Sequence, residues 1–158
     1  MELDKLFGLP AHPLIVHAAV VLLPMAAVGL VVVAALPRAR RAYAPLVLAI
    51  ALGAVVMVFL AQRSGEAFEE RVRENELVER HTELGETMLP RAIAPAVVAA
   101  GITALAWWRP ARARAGSGAI TVAAVVLAVL AGASATWKVV EVGHSGSKAA
   151  WSATVDGD

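Results

Sequence analysis

Residues 13–36 read PLIVHAAVVLLPMAAVGLVVVAAL, with no Asp, Glu, Lys or Arg among them. About 20 mostly apolar residues in a helix cross roughly 30 Å of hydrocarbon. Lipid offers the backbone no hydrogen bonds, so such a run must satisfy its own amides as a helix. Three further runs read the same way: 42–61, 92–108 and 118–140. The third is short, but Thr87-Met88-Leu89 extends it backwards. None of the four contains an acidic residue, and Lys138 lies near an end where its ammonium can reach the interface. The expected fold is therefore all-α, a four-helix transmembrane bundle with up-and-down connectivity.

Composition agrees. The chain is 59% hydrophobic, above the usual 45–50% of soluble domains, and its mean hydropathy is +0.69. Cysteine is absent, which excludes thiolate metal sites and iron–sulfur ligation by this chain. No Lys/Arg cluster is interleaved with aromatics, so nucleic acid is not an expected partner; the lipid bilayer is. The start, Met1-Glu2-Leu3-Asp4-Lys5, lacks the basic opening of a secretory signal, so the first run is expected to remain as an anchor.

The arginines set the expected orientation. Pro37 to Arg41 is basic, and so is the third connection with Arg109, Arg112 and Arg114; neither holds an acid. Positive connections stay cytoplasmic. The second connection, Arg63 to Pro90, has four arginines against eight glutamates and belongs outside, as do both termini. Tyr43, Trp107 and Trp108 suit the inner interface, and Trp137 and Trp151 the outer one.

The second connection has helical character. Leu77, His81, Leu84 and Met88 recur at the spacing of one helix face, and Phe68 and Val72 are four apart. Helices are expected at about 13–36, 42–62 extending to about 73, 77–108 and 118–142. Helices 2 and 3 then extend above the outer surface. Residues 1–151 form one domain with no internal repeat, and 152–158 form a disordered tail. Pro24 and Pro95 are expected to kink their helices. Gly53, Gly101 and Gly132 are candidates for close helix approach.

All four histidines fall at one end of these runs: His12 and His17 at the start of the first, His81 before the third, His144 after the fourth. At 1.5 Å per residue, His17 lies near the outer hydrocarbon edge. His12, His81 and His144 lie roughly 7–12 Å further out. Imidazole ligates transition metals and haem, so the cluster is read as a bound centre at the extracytoplasmic face. His12 and His17 differ by about 140° of helical rotation, so both converge only if His12 belongs to a loop that folds inward.

Two ligand sets stay open on residues alone. In a b-type haem centre, His17 is the leading axial ligand because it lies nearest the hydrocarbon, with His81 or His144 opposite, or His12 contributing. In an ion centre, His12, His81 and His144 hold Zn, Cu or Fe, joined by Glu66 or Glu70, which share a helix face. Depth favours the ion, since three of its ligands lie in the wet interface. A third reading is a non-catalytic membrane subunit with structural histidines. No HExxH occurs, and Gly143-His144-Ser145-Gly146-Ser147 lacks the final glycine and the strand context of a nucleophile elbow. Ser145 is expected to cap or turn the chain after the fourth helix. No ionisable group sits at a helix midplane, which argues against transport.

Several of these residues carry a resemblance. Ala11-His12-Pro13-Leu14-Ile15-Val16-His17-Ala18 resembles the HPLxVHF opening of the bacterial membrane proteins grouped as domain of unknown function 2231. Ser64-Gly65-Glu66, His81-Thr82-Glu83-Leu84-Gly85 and Val142-Gly143-His144-Ser145-Gly146 resemble its later motifs. Ala18 replaces the usual aromatic, and Ser147 stands where relatives often have Gly or Ala. The resemblance implies a four-helix protein of the bacterial cytoplasmic membrane with no established activity. Some relatives are fused to Rieske or cytochrome c domains, which implies electron transfer with a redox partner protein and favours haem over the ion.

Overall fold

The computed structural model describes residues 5–6, 9–69, 75–108 and 118–155. Among the described residues, five helices make four membrane-length spans: α1 Ala11–Ala35, α2 Pro37–Glu69, α3 Glu76–Glu86, α4 Met88–Trp108 and α5 Gly118–Val155. The third span is α3 and α4 taken together. Before α1, Lys5–Leu6 pairs antiparallel with Leu9–Pro10 in a two-residue ladder.

The four spans close into a ring in which α1 and α4 each pack on both α2 and α5. Three layers fill its interior. At the histidine end lie Leu23, Ala54, Val58, Met88 and Val139; at the middle Ala26, Ala51 and Ala96; at the other end Leu30, Val33, Val47, Ala99 and Ile102. The interior is rich in alanine because lipid provides no hydrophobic drive between helices. Close backbone approach must supply the packing instead. α1 approaches α5 closely at Gly132, where a Cβ would stand 2.9 Å from Ala27 Cβ. Gly101, by contrast, has nothing within 4 Å and sets no helix contact. Large apolar side chains such as Val21, Val28, Val97 and Leu130 cover the outside, which suits a bilayer and not water.

At the end opposite the histidines, Arg40 caps α1. Its Nε donates to Val33 O at 2.9 Å and its guanidinium also donates to Ala34 O, satisfying carbonyls left open by the helix end. A further bond to Thr121 Oγ1 at 3.3 Å ties α5 to the same corner.

Two boundaries differ from expectation. One helix was expected over 77–108, but the backbone turns at Thr87 between α3 and α4. Pro90 has no N–H to offer the carbonyl four residues back, so the ladder fails there. Gln62 on α2 supplies the missing donor, with Nε2 2.8 Å from Gly85 O and 3.2 Å from Glu86 O. At its other end α3 is capped by Asn75, whose Oδ1 accepts from the amides of Leu77 and Val78. The second difference concerns α5. It runs through Gly143 and Gly146 to Val155, where a helix end near 142 and disorder from 152 were expected. The remainder of that tail, 156–158, and the expected extension of the second helix through Val72 lie outside the described residues.

Candidate functional site

The four histidines do not share one fate. His12 and His81 are half-buried, while His17 and His144 are exposed. α1 begins at Ala11, so His12 is already helical and Pro13 occupies a first turn, where its ring costs no hydrogen bond. The rotation of about 140° between positions 12 and 17 therefore stands, and His17 turns away. Its Nδ1 bonds to Pro13 O on its own helix, at 2.6 Å. His144 sits one residue before the inward Ser145 and is carried to the outside.

His12 turns towards α2. Its Nδ1 lies 3.1 Å from Ala61 O and 3.0 Å from Ser64 Oγ. Ser64 Oγ donates its own proton to Ala61 O at 3.1 Å. A carbonyl only accepts, and a hydroxyl whose proton is committed to a carbonyl can only accept from the ring. Nδ1 therefore carries the proton, which puts the imidazole lone pair on Nε2. The ring packs against α2 at Gly65, where a Cβ would stand 3.1 Å from His12 Cε1.

His81 makes the same arrangement with α5. Its Nδ1 lies 2.9 Å from Ser145 Oγ, and Ser145 Oγ donates to Val142 O at 2.8 Å. The Val142 carbonyl also lies against the ring. The proton again belongs on Nδ1 and the lone pair on Nε2. A Cβ on Gly146 would stand 2.8 Å from His81 Cε1, so only glycine admits the ring here. The two imidazoles are near enough that a charge on His81 acts on His12. The Leu77, His81, Leu84, Met88 stripe thus faces inward, its lower end in Met88 of the core.

The carboxylates play a smaller part than expected. Glu66 is exposed and pairs with Arg63 at 3.4 Å. Glu70 lies outside the described residues. Glu69, which the sequence reading passed over, is the carboxylate whose charge reaches His81. Among the described residues, no three His, Asp or Glu side chains converge as a metal-holding group. Below the site on α5, Lys138 is buried and bonded to Glu141 at 2.8 Å. Lys138 shares the inward face of α5 with Ser145, about two turns deeper.

Ser64 and Ser145 are the residues that sequence reasoning missed. Ser145 was expected to cap or turn the chain, but it sits mid-helix and accepts from His81. A signal for both was present: a Ser-Gly pair follows His12 after 52 residues and His81 after 64.

Four membrane-length helices closed on two anchored imidazoles define an integral membrane protein with a histidine pair at one end of its bundle. The chain belongs to the family of predicted membrane proteins known as DUF2231, whose pattern matches residues 8–157. No curated protein and no solved structure matches the chain.

Proposed function

We propose that the protein is a b-type electron-transfer module in which the Nε2 atoms of His12 and His81 would hold one haem. The observation that carries this reading is the donor set. Two half-buried imidazoles from different hairpins carry their lone pairs on Nε2, and no third donor joins them among the described residues. An ion site normally takes three or four protein ligands. Haem brings four nitrogens of its own and asks the protein for one or two. Nδ1 bonds of this kind are what orient ligating histidines and raise their basicity. Bound haem supplies one-electron chemistry between ferrous and ferric iron. The chain's own part is to orient both imidazoles and to hold the centre at the bundle end, within reach of a redox partner.

The test is the optical spectrum and metal content of protein purified after expression with added haem precursor. A Soret band that sharpens and shifts on reduction is expected. Stoichiometric metal without that band would replace haem by an ion. Protein lacking both would leave the histidines structural.

The same reading places the histidine end extracytoplasmic, with both termini. Arg38, Arg40 and Arg41 begin α2 at the opposite end, and the segment joining α4 to α5 carries Arg109, Arg112 and Arg114. Since the chain lacks cysteine, a single introduced thiol reports one position. An impermeant maleimide on intact cells is expected to label Lys148→Cys and to spare Arg38→Cys. The reverse pattern would invert the topology.

A further inference from the structure

We infer that the histidine end is built as two copies of one half-site, and that Ser64 and Ser145 are positioning residues holding each imidazole with its lone pair on Nε2. Each copy has the same parts in the same order. A histidine near the start of one span meets a Ser-Gly pair near the end of the next: His12 with Ser64-Gly65, His81 with Ser145-Gly146. In each, the serine hydroxyl donates to the carbonyl three residues earlier and accepts from Nδ1. In each, the following glycine leaves room for the flat ring.

The serine does what the carbonyl alone does less well. A helical carbonyl is aimed along the helix axis, towards its own amide partner. The hydroxyl stands off the helix and turns that acceptor capacity sideways, towards the incoming ring. While its proton goes to the carbonyl, it accepts from Nδ1; donating to a deprotonated Nδ1 would mean giving up the bond to that carbonyl. The alternative tautomer would face two acceptors with a lone pair of its own. Both rings are thereby biased towards one form, with the proton on Nδ1 and the lone pair on Nε2.

The bias has a use only if both nitrogens bind one electron-accepting centre, and in that respect the inference rests on the proposed ligation. The tautomer itself does not. The two are therefore tested by separate readouts. Full-length protein with ¹⁵N-labelled histidine, reduced and in detergent micelles, is expected to show two imidazoles whose Nδ1 protons exchange slowly with water. Ser145→Ala is expected to release the His81 proton into fast exchange and mix its tautomers, leaving His12 unchanged; Ser64→Ala does the converse. Ser→Thr at either position restores the pattern because the hydroxyl returns. Haem or metal affinity falls roughly 10–100-fold in each alanine variant, the usual cost of a lost supporting bond to a ligating histidine. A wild type with the protons on Nε2, or a Ser145→Ala spectrum identical to wild type, would overturn the inference even if a Soret band is present. A missing Soret band with the NMR pattern intact would instead overturn the haem reading and leave the half-sites standing.

Discussion

His81→Ala is expected to abolish the Soret band of the purified protein, and His12→Ala to do the same. His17→Ala and His144→Ala should leave its position and intensity within error of wild type. Each of the first pair removes an imidazole whose Nδ1 is fixed by a second helix. The other two rings are exposed, and His17 bonds only along its own turn. Position relative to the hydrocarbon would have chosen His17, which lies nearest to it. The structure argues differently: depth decides little when a ring turns away from the bundle. The measurement is absorbance per mole of folded protein, oxidised and reduced, with melting temperature as the check on folding. Loss of the band in His17→Ala with retention in His12→Ala would return the axial role to His17.

That contrast marks how far the sequence could be read. Membrane spans are set by the length and apolarity of a run, which are local properties, so the four-helix bundle is legible from residues alone. The break at Thr87 is also local in cause, since Pro90 removes one donor, but its stability depends on Gln62 reaching across from α2. The length of α5 was misjudged for a related reason. Glycine in a helix interior costs only about 1 kcal/mol relative to alanine, and packing can outweigh that. Gly146 lies under the His81 ring, so what looked like a helix stop is a seat for a side chain.

The site was legible by level and not by azimuth. Four histidines at one end follow from counting residues along each span. Which of them face one another depends on the first helical residue of α1, and a shift of one residue rotates every later side chain by about 100°. The serines were harder still. Ser-Gly reads as turn chemistry in an isolated segment. Only the antiparallel pairing of α1 with α2, and of α3 with α5, brings each pair opposite a histidine. Repetition is then visible in side-chain arrangement, although the hairpins share no repeat that sequence comparison within the chain picks out.

Gly146→Ala is expected to weaken binding of the centre by at least about tenfold, on the scale of lost support to a ligating histidine. The added Cβ would stand 2.8 Å from His81 Cε1, 3.2 Å from Nδ1 and 3.3 Å from Nε2. The Cβ would press on three ring atoms at once, the nearest under 3.0 Å, so something must shift. The imidazole must lift off α5, and lifting it lengthens the 2.9 Å bond to Ser145 that fixes its tautomer. Gly65→Ala is expected to act in the same direction but more weakly, since its nearest contact to His12 is 3.1 Å and the next is 3.5 Å. Gly143→Ala is the control on the same helix: nothing lies within 4 Å of its Cβ position, and alanine is the better helix former. Binding should therefore fall in the order Gly143→Ala, Gly65→Ala, Gly146→Ala, while helix content by circular dichroism stays constant across all three. Equal affinities in Gly146→Ala and Gly143→Ala would mean that His81 does not need its seat on α5, and the half-site would lose its function as a positioning device.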